Sequence, residues 1–317
     1  MELRSVNNLC LILQVNRKYL FDLRSRASSC YKSHDIPKKN SNEKRHIDSP
    51  NDELKSIQRK INTKILKPMI DTLPDYIHGS RANKGIKTNA MPHIGKEMLL
   101  SLDIEKCFPN ITYKKIYYAF RRNGCSKSVA RILVDLTTKD GVLPQGCPTS
   151  SSICNLVMAP LVTKMFNANN KKDISTSQYV DDLFFSGNKK AIKSIVRPTL
   201  TSIWNFGLKH NPQKVHLQSN NGPMCAASII VNKKVSVGRK RIRIIEREIM
   251  KITKKDVDKY YMVLEKRRSQ DKTGQKKHIK DCNLEKIYGE VSNVISINSQ
   301  QGLKLKHKLE KQIKNCN

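Results

Sequence analysis

The stretch Gln178-Tyr179-Val180-Asp181-Asp182-Leu183-Phe184-Phe185-Ser186 decides how this chain is read. Two short β-type runs flank a pair of acids, so the pattern predicts a hairpin with Asp181 and Asp182 at its turn. Side chains alternate across a strand, so adjacent aspartates point different ways and one of them can face a neighbouring strand. Such a neighbour is Met98-Leu99-Leu100-Ser101-Leu102-Asp103-Ile104, an apolar run that reads as a buried strand delivering Asp103 at its end. Taken alone, an Asp-Asp pair is most often a solvated turn; a third acid at a strand tip changes that reading. Carboxylates converging at a sheet edge repel one another unless a cation lies between them. Magnesium, a hard ion that takes one or two carboxylates plus substrate phosphates, suits that position.

The rest of the chain indicates what such a site would act on. Among 317 residues, 60 are Lys or Arg and 27 are Asp or Glu, a formal charge of +33. So large an excess of one sign repels itself in a compact fold unless a polyanion neutralises it. The basic residues are spread over the whole length rather than gathered on one amphipathic helix, which favours nucleic acid over a membrane surface. Nine cysteines at irregular spacings, with no C-x-x-C pair, argue against a zinc knuckle or a secreted disulfide framework. Leu9-Cys10-Leu11-Ile12-Leu13 is too short for a signal peptide and no stretch approaches membrane-spanning length, so the expected compartment is the cytoplasm, with no membrane partner.

Working outward, residues 1 to about 30 are predicted as helix, with Leu9, Leu13, Leu20 and Leu23 on its apolar side. Residues 36 to 47 fit two short β-type pieces around a polar loop. After Pro50 a helix follows, with Leu54, Ile57, Ile61, Ile65 and Leu66 at helical spacing and Asp52 as its cap. Residues 113 to 138 are helical with a break near Gly124, and Ser150 to Phe166 form a helix behind the Gly141 to Pro148 loop. Residues 224 to 237 predict another hairpin, turning at Asn232-Lys233-Lys234. From Gly238 onward, 22 Lys and Arg stand against 10 Asp and Glu with apolar residues at helical spacing, the mark of a separate basic helical subdomain.

Tyr179-Val180-Asp181-Asp182 with its flanks resembles the Tyr-x-Asp-Asp hairpin of reverse transcriptases. Leu102-Asp103-Ile104-Glu105-Lys106-Cys107-Phe108-Pro109-Asn110-Ile111 resembles their first catalytic strand. Gly141-Val142-Leu143-Pro144-Gln145-Gly146-Cys147-Pro148-Thr149-Ser150 resembles the loop and helix start that hold the templating pair. Gly207-Leu208-Lys209-His210-Asn211-Pro212-Gln213-Lys214 resembles the later motif that ends in a lysine. The resemblance implies an RNA-directed DNA polymerase of mixed α/β (α+β) class with the right-hand polymerase fold. Residues 1–97 would form an N-terminal helix and fingers, 98–237 the palm with inserted fingers helices, and 238–317 a basic helical thumb.

By the same resemblance Asp103 and Asp181 are the main metal ligands, Asp182 is auxiliary, and Ile104 joins the metal set. Two magnesium ions, with manganese as a substitute, would activate a primer 3′-oxygen and steady the departing pyrophosphate. Phe108 falls where the family places an aromatic plate beneath the sugar, which implies a preference for deoxynucleotides. Gln145 and Gly146 would allow close backbone approach to the incoming nucleotide, with Tyr179 also on the substrate side. Lys214 would protonate or neutralise pyrophosphate. Lys39 and Arg45 would grip the triphosphate on a fingers hairpin, with Lys38 an equal candidate by spacing. The loop His78-Gly79-Ser80-Arg81 with Lys84 is either a template contact or a plain solvated loop.

Thr88-Asn89-Ala90-Met91-Pro92-His93 matches the Asn-Ala-x-x-His signature of retron reverse transcriptases, which places Asn89 and His93 in RNA binding. Leu284-Glu285-Lys286-Ile287-Tyr288-Gly289-Glu290-Val291 resembles their thumb. The retron resemblance implies a structured non-coding RNA partner, a branched RNA–DNA product primed from a guanosine 2′-hydroxyl, and anti-phage defence with an effector protein of the same operon. One departure stands out: Ala226-Ala227-Ser228 occupies the place of the usual Val-Thr-Gly, in a region tied to recognition of the RNA. A neighbouring group of bacterial defence reverse transcriptases therefore stays open, as does a non-catalytic RNA-binding protein. The latter explains the charge but not three acids at strand tips.

Overall fold

The structure, a computed structural model, describes residues 2–37, 43–273 and 282–316. Lys38 and Lys39, expected to grip a triphosphate, lie outside the described residues. The chain forms two compact units, Met1–Gly222 and Pro223–Asn317.

In the first unit the expected N-terminal helix is two helices, Val6–Leu13 and Arg17–Ser25, broken where Gln14 turns left-handed at φ 53°. Asn16 then accepts from the Tyr19 amide and starts the second helix. Leu9, Leu13, Leu20 and Leu23 are fully buried, so the apolar spacing was right although the helix was not continuous. A hairpin follows, β1 (Tyr31–Pro37) and β2 (Lys44–Pro50), antiparallel from Tyr31↔Pro50 to Pro37↔Lys44. The next helix, Asp52–Ile61, is capped by Asn51 and not by Asp52: the Asn51 Oδ1 accepts from the Leu54 amide at 2.9 Å. Asp52 lies in the first turn instead, where a negative charge favours the helix N-terminus.

The central sheet has the order β3-β5-β6-β4-β7. Its strands are β3 (Ile77–His78), β4 (Met98–Asp103), β5 (Ser175–Tyr179), β6 (Asp182–Gly187) and β7 (His216–Ser219). Helices Ser150–Asn170 and Lys189–Asn205 pack on each other and on this sheet. The short turn Met91–His93 packs on β5 and β6 as well. Leu183, Phe184 and Phe185 are therefore all buried, which explains why β6 reads as a continuous apolar run rather than an alternating one. Cα pairing sets Asp103 opposite Asp182 across β4 and β6, and Tyr179 opposite Asp182 across β5 and β6. The hairpin turn is thus Val180-Asp181, and Asp182 is the first residue of β6 rather than a turn residue.

The second unit opens with β8 (Cys225–Ala226), β9 (Ile229–Ile230) and β10 (Ser236–Val237), in the order β10-β9-β8. Asn232-Lys233-Lys234 lie in the β9–β10 connection, as the sequence predicts. Among the described residues four helices follow: Arg239–Met250, Lys254–Thr273, Asn283–Ile297 and Ser299–Cys316. The small sheet is tied to them: Asn298 Nδ2 donates to the Val235 carbonyl at 2.9 Å, and the Val237 amide donates to Gln301 Oε1 at 2.9 Å. These contacts place β8–β10 with the basic helices, so this unit begins earlier than the composition change at Gly238. Among the described residues no helix is long and apolar enough to cross a membrane.

Candidate active site

Three backbone bonds bring the acids together. The Ile104 amide donates to the Asp181 carbonyl at 3.2 Å, linking the end of β4 to the β5–β6 turn. The Asn211 amide donates to the Asp103 carbonyl at 2.9 Å, and the Glu105 amide to the Lys209 carbonyl at 2.8 Å. The later motif is thereby fastened beside Asp103, and the Lys214 Nζ donates to Asp103 Oδ1 at 2.8 Å. Ile104 has a fully buried side chain, so only its backbone can serve the site.

The electrostatics follow from this crowding. Burial, with the negative charges of Asp181 and Asp103, pushes the Asp182 carboxyl up to about 7. Asp181 is also raised, by burial and then by Asp103, while Lys214 and Arg45 pull it back. Its hydrogen bond to Asp103 raises Lys214. The influence of Arg45 on Asp181 brings one sequence-predicted residue of the β1–β2 hairpin into the electrostatic reach of the acids. Burial and mutual repulsion raise Asp181 and Asp182, and that repulsion would be relieved by a divalent cation, which takes one or two ionised carboxylates and completes its shell with phosphate and water oxygens. Asp103, Asp181 and Asp182 would hold it. Among the described residues no group of three or more His, Cys, Asp or Glu, these three acids included, is drawn close enough to hold a metal ion as the side chains stand.

The turn itself is held by residues to which the sequence analysis gave no supporting role. Val180 has φ 56°, a rare conformation for a β-branched residue. Its carbonyl accepts from Gln178 Nε2 at 2.7 Å. Gly79, at φ 81°, lies so near that a Cβ there would meet Val180 Cγ2 at 2.6 Å. Asn155 on the long helix donates to the Gly79 carbonyl at 2.7 Å and accepts from Gln178 Nε2 at 3.4 Å. Gln178 and Asn155 are fully buried, so this network is a rigid support behind the acids. A buried glutamine in a strand of buried residues was the one available sequence signal.

Gln145 and Gly146 meet the β1–β2 hairpin. The Asp48 amide donates to the Gln145 carbonyl at 2.8 Å, and a Cβ on Gly146, at φ 113°, would meet Ile47 Cγ2 at 2.7 Å. The close approach that Gly146 permits in this structure is therefore to β2. Asp48 also accepts from Lys139 Nζ at 2.7 Å and from Ser33 Oγ at 2.7 Å. Burial works against the Asp48 anion, but the Lys139 and Ser33 hydrogen bonds outweigh it and its carboxyl is lowered. Phe108 is half-buried in the short helix Cys107–Asn110 and packs on the core, and Tyr179 is half-buried at the end of β5.

Two expectations are corrected. Arg81 is not available to a template, because its guanidinium donates to the Leu73, Pro74 and Ile77 carbonyls, each at 2.7 Å, while Lys84 pairs with Asp75 at 2.9 Å. Asn89 and His93 are fully buried and present no surface to RNA. His93 lies within 2.7 Å of both Ser186 Oγ and Ser177 Oγ, which ties its turn to β5 and β6. It acts on the palm sheet as a brace.

Residues 36–245 match the reverse transcriptase (RNA-dependent DNA polymerase) family, and the chain belongs to that family. Several bacterial retron enzymes are similar to it. It is 30% identical over 248 residues to the retron Ec83 reverse transcriptase of Escherichia coli, covering 72% of this chain and 78% of that one. It is 27% identical over 224 residues to the retron Ec86 reverse transcriptase of Escherichia coli, 69% of each. Against the retron Mx65 reverse transcriptase of Myxococcus xanthus it is 27% identical, with 62% of this chain matched to half (50%) of the relative's length. Among solved structures, telomerase from Candida albicans in complex with a fragment of telomeric RNA matches 89% of this chain and 63% of its own at 12% identity and a TM-score of 0.51. Apo telomerase from Candida tropicalis, truncated from its C-terminal domain, matches 66% of this chain and 55% of its own at 13% identity and 0.50. Those two likenesses concern the fold alone. The chain is an RNA-directed DNA polymerase of retron type, acting on an RNA template and deoxynucleotides.

Proposed function

We propose that this enzyme copies a structured non-coding RNA into DNA, producing a branched RNA–DNA molecule in the cytoplasm as part of anti-phage defence with an effector protein. Asp103 and Asp181, with Asp182 auxiliary and the Ile104 backbone beside them, would hold two magnesium ions, for which manganese would substitute. When bound, those ions lower the pKa of the primer hydroxyl and offset charge on the departing pyrophosphate. The observation that carries the reading is the convergence of three strand-tip acids, with Asp182 raised to about 7 and Lys214 2.8 Å from Asp103.

The chain's own residues would divide the remaining work. Lys214, kept protonated by Asp103, supplies a positive charge where phosphate negative charge grows. Arg45, with Lys39, binds the triphosphate, and Gln145, Gly146 and Tyr179 seat the nucleotide against the templating base. Phe108 lies under the sugar and excludes a ribose 2′-hydroxyl. Asn89 and His93 support RNA binding indirectly, by bracing the sheet.

Purified protein should incorporate deoxynucleotides on a primed RNA template with magnesium and stop when the metal is chelated. Equal use of ribonucleotides would overturn the role of Phe108. Sequencing nucleic acid that co-purifies with the protein should return one structured RNA joined to its DNA copy; unrelated cellular RNA alone would contradict the retron assignment.

A further inference from the structure

Outside the acid cluster, two shallow grooves lie side by side on the first unit. One, of about 330 Å³, is lined by Lys114, Lys115, Tyr118, Arg122 and Phe206 among others. The second, of about 400 Å³, includes Lys106, Trp204, Lys209 and Glu105. Lys115 joins them, since its Nζ donates to the Gly207 carbonyl at 3.3 Å and stands 5.8 Å from the Phe206 ring centroid. Lys114, Tyr118 and Arg122 recur every four residues along the helix Tyr113–Arg122 and so share one face.

Two features of this surface suit a ligand. Tyr118 is 50% exposed and Trp204 is 65% exposed, although large aromatic side chains normally bury their rings. Lys209 Nζ lies 5.8 Å from the Trp204 ring centroid, so a cation accompanies the exposed indole. The two linings also carry five cations, Lys106, Lys114, Lys115, Arg122 and Lys209, against one carboxylate, Glu105.

We propose that this surface binds an unpaired stretch of the RNA that the enzyme serves, with bases stacked on Trp204 and Tyr118 and phosphates on the surrounding lysines. Exposed rings interleaved with cations are what single-stranded nucleic acid requires, because any base offers a flat face and every residue a phosphate. An RNA duplex would satisfy the cations but offers no open base faces to the rings. An acidic protein would likewise match the charge and leave the stacking faces unused. The inference rests on the reading of a structured RNA partner and adds a contact outside the acid cluster, where a folded RNA can be retained while another part of it is copied.

Trp204 is the one tryptophan of the chain, so its fluorescence reports on this surface. Full-length protein is titrated with a short oligouridylate, with polyglutamate of matching charge as the comparison. Saturable quenching by the RNA and none by polyglutamate is expected. Trp204→Ala and Tyr118→Ala should each weaken oligouridylate binding, read by anisotropy, about tenfold. Trp204→Phe, which keeps a ring, should recover most of it. All three should extend a short pre-annealed primer–template at the wild-type rate. Equal quenching by polyglutamate, or unchanged binding by both alanine variants, overturns the proposal. Wild-type protein that is quenched yet incorporates no nucleotide would leave this surface standing and count against the polymerase reading instead.

Discussion

At Val180 the backbone enters the left-handed region, which costs a residue other than glycine about 1–2 kcal/mol and is tolerated only where the surroundings enforce it. Gly79, Gln178 and Asn155 do the enforcing. Gly79→Ala places a methyl group 2.6 Å from Val180 Cγ2 at a backbone φ of 81°, so the turn must shift. We expect polymerisation to fall about a hundredfold in kcat with the protein still folded by circular dichroism, since displacement of reacting groups by about 1 Å is enough for that. Unchanged kcat would show that the turn is not held from behind. The acids themselves were legible, because charge at the tip of an apolar strand is visible in a linear pattern. Gly79 and Asn155 were not, because their contact joins positions far apart in sequence. The same holds for His93, whose motif was visible but whose burial was not. Burial holds His93 down to about 3 and His78 down to about 4, so neither protonates readily when folded. The unfolded chain takes up those protons near pH 6.5, so stability is full above that value and falls as the pH drops toward 3 to 4. In denaturation curves each buried histidine should take away about 1.4 kcal/mol per pH unit below about 6.5, against which the raised carboxyls of Asp182 and Asp181 contribute stability as the pH falls below about 7. In a variant with Asp181→Asn and Asp182→Asn, which removes that offset, a flat profile between pH 7 and 5 would contradict the burial of the histidines.

The β1–β2 hairpin shows how an element is placed by one half-buried pair. Asp48 accepts from Lys139 Nζ at 2.7 Å, and its amide holds the Gln145 carbonyl at 2.8 Å, so one residue joins the hairpin to the Gly141 to Pro148 loop. Lys139→Met leaves Asp48 without its cation and should cost about 1.5–3 kcal/mol of stability. It should also raise the KM for deoxynucleotides more than it lowers kcat, because Arg45 rides on the same strand. A change in kcat alone would argue against that role. Sequence reading gave the hairpin but placed it at 36 to 47 rather than Tyr31 to Pro50, since Ser33 and Asp48 are polar and become strand only through their partners. The altered Ala226-Ala227-Ser228 also acquires a physical meaning. Ala227 and Ser228 have φ 46° and 67° in the two-residue β8–β9 turn, which favours glycine. Ser228→Gly relieves about 1–2 kcal/mol of left-handed strain against about 0.5–1 kcal/mol of added chain entropy, so a modestly raised unfolding temperature is expected.

At the scale of the molecule, a formal charge of +33 makes RNA affinity a matter of counterion release. Binding should weaken on the order of a thousandfold between roughly 50 and 200 mM salt, measured by filter binding or anisotropy. The general class was legible from charge, order of motifs and the apolar strands, because those are properties of the linear chain. The division into units was less so. Composition changes at Gly238, whereas three short strands from Cys225 onward bond to helices that follow them, and hydrogen bonds between Val235, Val237, Asn298 and Gln301 leave no trace in composition. The central claim is that Asp103, Asp181 and Asp182 form the polymerising centre of this reverse transcriptase. Its most direct test is single-nucleotide incorporation on a primed RNA template, comparing wild type with Asp181→Asn combined with Asp182→Asn, after checking that template affinity is retained. The account predicts incorporation by the wild type and a loss of at least about a thousandfold in the variant. Incorporation by the variant at the wild-type rate would contradict it.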